Sequence, residues 1–187
     1  ASSGFGKAIA EKFASLGHEI IITGRREKLL NELKEELVSR YNTPVTVLVF
    51  DVQHKKKVFE ILQNNPILED LDILVNNAGL ALGRDLFDEA SLDDWETMID
   101  TNVKGLLYVT KAVLSSFIKK GGGHIINIGS TAGKEVYPNG NVYCASKHAV
   151  DALNKGMRID LLPHGIKVTA VNPGLAETEF SIVRFKG

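Results

Sequence analysis

Two periods of apolar residues alternate along this chain, and that alternation decides what it can fold into. Short β-branched runs occupy residues 19–23, 45–52, 71–75, 124–129 and 167–171, each the length of a strand buried on both faces. Between them lie stretches with apolar residues three or four apart. Ile9, Phe13 and Leu16 mark 4–16, which Gly17 stops, and Leu29, Leu33 and Leu37 mark 28–40. A third helix covers 55–64 and ends at Asn65-Pro66. Val103, Leu106, Leu107, Leu114, Phe117 and Ile118 line a long fourth, closed by Gly121-Gly122-Gly123, and a fifth spans 142–162. Strands and helices that take turns in this way predict an α/β fold: a doubly wound parallel sheet with helices on both faces. With no repeat, low-complexity tract or interior linker, residues 1–187 read as one domain.

Composition narrows the function classes. A core-forming 44% of hydrophobic residues and a formal charge of -1 describe a globular chain with no general attraction for nucleic acid or anionic membrane. A single cysteine, Cys144, excludes an internal disulfide and fits a reducing, cytoplasmic compartment. With no activating partner evident, it reads as an inert thiol rather than a nucleophile. The five histidines lack ligand spacing, so no metal is expected, and no apolar run is long enough to span a bilayer. The chain opens inside a glycine-rich turn, Ala1-Ser2-Ser3-Gly4-Phe5-Gly6, with no strand ahead of it. The expectation is a domain incomplete at both ends.

Chemistry is concentrated at Tyr143-Cys144-Ala145-Ser146-Lys147. A phenol and an ammonium four residues apart share one helix face. Phenols lose their proton near pH 10; a fixed cation beside the ring stabilises the phenolate and draws that value toward neutrality. Ser130, thirteen positions upstream, ends the run from His124 to Gly129, so a strand end and a helix can bring a hydroxyl and this phenol to one point. Small residues ahead of a helix (Ser2, Ser3, Gly4 and Gly6) let backbone amides approach a phosphate, although a plain turn has the same composition. After the strand at 19–23 the chain reads Thr23-Gly24-Arg25-Arg26, with glycine where a ribose-binding carboxylate would stand. Guanidinium groups there suit a 2′-phosphate, Arg25 first and Arg26 second; a solvated basic turn is the other reading. Asn76-Asn77-Ala78-Gly79 makes a turn after a strand, and Asn102 by itself reads as a helix cap.

Ser130, Tyr143 and Lys147 resemble the active site of the short-chain dehydrogenase/reductase family. The resemblance extends in order from Ala1 to Thr178. It implies a Rossmann-type fold, a nicotinamide dinucleotide and reversible hydride transfer between nicotinamide and a carbon bearing oxygen, as in a secondary alcohol and its carbonyl. It implies that Asn102, Ser130, Tyr143 and Lys147 are catalytic, Asn102 through a water linking Lys147 to solvent. It further implies that Ser2, Ser3, Gly4, Phe5, Gly6, Arg25, Arg26, Asp51, Val52, Asn77, Ala78, Gly79, Tyr143, Lys147, Pro173, Gly174 and Thr178 contact the cofactor, taken as NADP. Residues 23–26, 124–133 and 174–187 are similar to the NADP-dependent subgroup that oxidises L-serine and other 3-hydroxy acids, for whose carboxylate Arg184 and Lys134 are candidate cations. Other readings are a different carbonyl or 3-oxoacyl reductase of the family, and a dinucleotide-sensing protein without turnover. Family members associate through the two long helices, so a homotetramer is expected, with Ala145, Ala149, Ala152 and Gly156 permitting close helix approach.

Overall fold

The computed structural model describes residues 1–174 and Ala176. Each β-branched run becomes a parallel strand: β1 (Ile20–Gly24), β2 (Val45–Val49), β3 (Ile73–Asn76), β4 (Gly123–Ile128) and β5 (Ile166–Val171). The helices are α1 (Gly4–Ser15), α2 (Glu27–Tyr41), α3 (Lys55–Leu62), α4 (Leu92–Ile99), α5 (Leu106–Lys120) and α6 (Asn141–Asp160). Ile20 pairs with Val45 across β1 and β2; Ile73 pairs with His124 and Gly123 with Ile166 in the ladder β3-β4-β5.

Successive strand residues point to opposite faces, and β1 has both covered. Ile22 packs with Ala10 and Ala14 of α1 and with Leu30, Leu33 and Leu37 of α2. Its neighbour Ile21 meets a second cluster built on Phe50, Val58, Leu62, Ala112 and Val113. Leu48 of β2 and Leu74 of β3 join that second cluster, so a continuous apolar layer underlies all these strands. A layer with helices on either side is the α/β arrangement expected from the sequence.

Three details differ from the sequence reading. The described strands form two parallel sheets, β1-β2 and β3-β4-β5, instead of one ladder. Beside the division Ala1 N donates to the Thr23 carbonyl. The strand expected over 45–52 ends at Val49, because the Asp51 carboxylate accepts from the Gln53 amide at 3.0 Å and turns the chain. The long helix begins well before residue 103: α4, a π-helical turn (Asp100–Gly105) and α5 follow without a break. Asn102 therefore lies in mid-helix and caps nothing.

A buried polar chain crosses the second sheet. Asn76 Nδ2 donates to Thr110 Oγ1 and to Asn127 Oδ1, both at 2.9 Å, and Asn127 Nδ2 donates to Asn154 Oδ1 at 3.0 Å. These bonds tie α5 through β3 and β4 to α6. Asn127 is fully buried, so replacing it by Ala leaves groups of Asn76 and Asn154 without partners in the core. We expect Asn127→Ala to lower the unfolding free energy by about 2–3 kcal/mol, read from urea midpoints; a loss below ~0.5 kcal/mol would show that the network supports nothing.

Candidate active site

The carboxyl ends of β3, β4 and β5 converge on the first turns of α6. Tyr143 and Lys147 lie one turn apart there and are 9% and 7% exposed. The phenol packs among Leu80, Ala81, Met98, Ala132 and Cys144. Lys147 Nζ donates to the Ile128 carbonyl at the end of β4, at 3.0 Å. On its other side stands Gly79, where a Cβ would come within 3.5 Å of Lys147 Nζ and 3.3 Å of Asn102 Oδ1. Glycine thus leaves open the space between an ammonium and an amide. Burial lowers the Lys147 pKa from 10.5 to about 8. At neutral pH the group is still mostly protonated, a buried cation held one turn from a phenol.

Ser130 reaches the same place from β4. Its Oγ accepts from the Ala132 amide at 3.1 Å, which leaves the hydroxyl hydrogen to donate elsewhere. The 3₁₀ turn that follows (Thr131–Gly133) sits against α6 so closely that a Cβ on Gly133 would stand 2.6 Å from the Lys147 carbonyl oxygen. The end of β5 borders this turn: Gly129 donates to the Val171 carbonyl at 2.8 Å, and Thr131 to the Pro173 carbonyl at 3.1 Å. Pro173 and Gly174 therefore flank Ser130.

Asn102 is 2% exposed, and both hydrogens of its side-chain amide are engaged. Oδ1 accepts from the Leu80 amide at 2.8 Å; Nδ2 donates to the Leu80 carbonyl at 2.8 Å and to Ser146 Oγ at 3.0 Å. The π-helical turn is what lets a mid-helix amide reach sideways to the loop after Gly79. Ser146 was not among the residues picked from the sequence; its place between Tyr143 and Lys147 was the one signal. Thr101 was passed over as well, and its hydroxyl accepts from Gln53 Nε2 at 2.7 Å.

A second group gathers at the ends of β1, β2 and β3. Ser2, Ser3, Gly4, Phe5 and Gly6 form the turn into α1, with Gly4 at φ 53. Gly6 lies so near Asn77, which with Ala78 leads to Gly79, that a Cβ would meet its Nδ2 at 2.7 Å. The Arg26 guanidinium spans this turn, donating to Ser2 Oγ and Ser3 Oγ at 3.0 Å each. Arg25 instead pairs with the Asp51 carboxylate at 3.5 Å. Val52 packs on the π-helical turn, where a Cβ on Gly105 would meet its Cγ2 at 2.7 Å. Lys134 bonds to Asp151 of α6. Thr178 and Arg184 lie outside the described residues.

These residues fit an anionic dinucleotide. The first turn of α1 carries no acidic residue, a guanidinium and two hydroxyls border it, and close-packed glycines keep the path to Lys147 clear. Among the described residues no cluster of His, Cys, Asp or Glu could hold a metal ion, and no helix is long and apolar enough to cross a membrane.

Comparison with known proteins agrees with this geometry. The short chain dehydrogenase family model matches residues 1–186. The chain belongs to the short-chain dehydrogenase family. Its relatives include the NADP-dependent 3-hydroxy acid dehydrogenase YdfG of Escherichia coli (strain K12), 48% identical over all of this chain and 75% of that protein. Sulfoacetaldehyde reductase 2 of Chromohalobacter salexigens is also 48% identical, over all of this chain and 74% of its own. Among solved structures, the closed form of serine dehydrogenase complexed with NADP+ superposes with a TM-score of 0.92 at 49% identity, covering 100% of this chain and 75% of that one.

The buried ammonium makes stability depend on pH. Below pH 8 Lys147 is charged whether folded or unfolded, and folding carries the full cost of burying it. Between about 8 and 10.5 the unfolded chain binds more protons, so stability rises with pH. We expect the wild type to gain about 3 kcal/mol across that window relative to Lys147→Met, measured by urea unfolding without dinucleotide. Parallel curves for the two proteins would place the amine in solvent.

Proposed function

We propose that this chain is an NADP-dependent oxidoreductase that moves a hydride between nicotinamide and a hydroxyl-bearing carbon, with L-serine and other 3-hydroxy acids as substrates. The observation that carries the reading is the convergence of Tyr143, Lys147, Asn102 and Gly79 at the mouth of a turn suited to phosphate. The nicotinamide supplies or accepts the hydride when bound. This chain's own residues handle the proton and hold the reactants. In oxidation Ser130 Oγ donates to the substrate oxygen, and Tyr143 takes the hydroxyl proton as phenolate; in reduction Tyr143 returns it. Lys147 stabilises the phenolate and grips ribose hydroxyls. Asn102 anchors the water through which Lys147 exchanges protons with solvent.

Arg25 and Arg26 recognise the 2′-phosphate. Arg26 is the better supported of the two, since it already lies across Ser2 and Ser3 while Arg25 is engaged by Asp51. Asp51 and Val52 flank the adenine. Phe5 with the turn around Gly4 borders the pyrophosphate, and Asn77, Ala78, Gly79, Pro173, Gly174 and Thr178 line the nicotinamide side.

The identity shared with a sulfoacetaldehyde reductase favours a second reading, reduction of a small anionic aldehyde. The two substrates share one design: serine carries its carboxylate, and sulfoacetaldehyde its sulfonate, two bonds from the reacting carbon. Residues 1–187 form a single NADP-binding domain of a cytoplasmic protein that assembles as a homotetramer through α5 and α6. Leu107 and Ile118 are exposed on α5. On α6, Ala145 and Ala152 are exposed, and a Cβ on Gly156 would meet nothing within 4 Å.

Spectrophotometric assay of the full-length polypeptide with NADP against serine, 3-hydroxybutyrate, 3-hydroxypropionate and a plain secondary alcohol, and with NADPH against sulfoacetaldehyde, separates these readings. Turnover with 3-hydroxy acids is expected; none with any substrate would leave a dinucleotide-sensing protein. Tyr143→Phe is expected to lower kcat by at least ~100-fold while NADP affinity stays within about threefold. Near-wild-type turnover would take the phenol out of the reaction. Titration with both dinucleotides should give tighter binding of NADP than NAD, with Arg26→Ala reducing that preference; tighter NAD binding would contradict the cofactor assignment.

A further inference from the structure

Ser146 has no part in the reaction as derived above, yet its hydroxyl lies at the junction of the groups that perform it. It is fully buried. Its hydrogen is committed to the Tyr143 carbonyl one turn back, at 2.7 Å, which fixes the rotor and turns the oxygen lone pairs away from α6. Asn102 Nδ2 donates to that oxygen at 3.0 Å. The other Nδ2 hydrogen and Oδ1 of the same amide hold both backbone polar groups of Leu80, one residue past Gly79. A single amide thus joins three segments: the π-helical turn, the loop after Gly79 and the first turns of α6. Ser146 thus gives α6 a side-chain hydrogen bond to that amide. At 100° per residue it lies about 60° around α6 from Tyr143, on the side away from Lys147.

We propose that Ser146 is a positioning residue: its hydroxyl sets the rotation of α6 about its own axis relative to Asn102, and thereby the placement of the Tyr143 phenol against the Lys147 ammonium. Rigid-body rotation of a helix moves long side chains farther than its backbone. A small loosening at Ser146 therefore separates the two groups that must stay close. The packing of Leu80, Ala81 and Ala132 against the phenol does not replace this constraint, because apolar contact is not directional.

The inference rests on the oxidoreductase reading, and the test separates the two. In the full-length enzyme, Ser146→Ala is expected to lower kcat by about 10- to 100-fold with substrate KM nearly unchanged. The pH limb of kcat for alcohol oxidation should move upward, toward the ordinary tyrosine range. Ser146→Thr keeps the hydroxyl on the same carbon and should restore the limb. An independent readout needs no turnover: the Leu80 amide, held by Asn102 Oδ1, should exchange its hydrogen faster in Ser146→Ala. Should the alanine variant fail to fold, Ser146→Cys, with a weak donor and acceptor at the same place, carries the same comparisons with a smaller displacement. A variant that lowers only the melting temperature, leaving kcat and its pH limb in place, overturns the proposal. If the wild type turns over no substrate, the oxidoreductase reading fails by itself; unchanged Leu80 exchange in Ser146→Ala then overturns the positioning role too.

Discussion

An amine kept out of water is the constraint around which the rest of this molecule is arranged. Lys147 has one direct acceptor among the described residues, the Ile128 carbonyl at the end of β4, and a buried ammonium with so little compensation is costly. The fold tolerates that cost because several independent features hold the amine in place. Gly133 lets the turn after Ser130 press on the backbone of the same residue, and Gly79 keeps a side chain from filling the space at its tip. Neither glycine is needed for a left-handed turn. Both stand where a Cβ would collide with or crowd the site.

From that constraint the electrostatic logic follows. An underused cation beside a phenol and below a phosphate-friendly turn gains partners when an anionic dinucleotide binds and when the phenol loses its proton. The site is thus prepared for charge that arrives during the reaction rather than charge already present in the free protein. The site lies at the carboxyl ends of the strands, the position that open α/β sheets generally offer to ligands. The polar chain from Thr110 to Asn154 ties β3 and β4 to the two long helices beneath the site.

Much of this was legible in the sequence because it is carried by local periodicity. β-branched runs gave all five strands, and apolar spacing gave five of the six helices, since burial on a sheet imposes those periods directly. The pairing of Tyr143 with Lys147 was legible for the same reason: helix geometry makes four residues one turn. What escaped was non-local. α4 carries its apolar residues in too short a stretch to stand out, and Asn102 read as a cap because the flanking helices look separate until the π-helical turn joins them. Ser146 gave no signal beyond its place between Tyr143 and Lys147, since its role depends on an amide forty-four residues earlier in the chain. The partners of the two arginines depended on side-chain geometry, which favours Arg26 over Arg25 at the serine-rich turn. Lys134, close to the site in sequence, pairs with Asp151 of α6, a contact that sequence proximity does not reveal.

The account stands or falls on whether the ammonium tunes the phenol. Ultraviolet difference titration of the wild type against Tyr143→Phe isolates the ionisation of Tyr143 from that of the other three tyrosines. Performed again in a Lys147→Met background, it measures what the amine contributes. With NADP bound, we expect Tyr143 to titrate well below the ordinary tyrosine value of about 10, and to return to or above that value once Lys147 is replaced. An identical Tyr143 titration in both backgrounds would contradict the account at its centre.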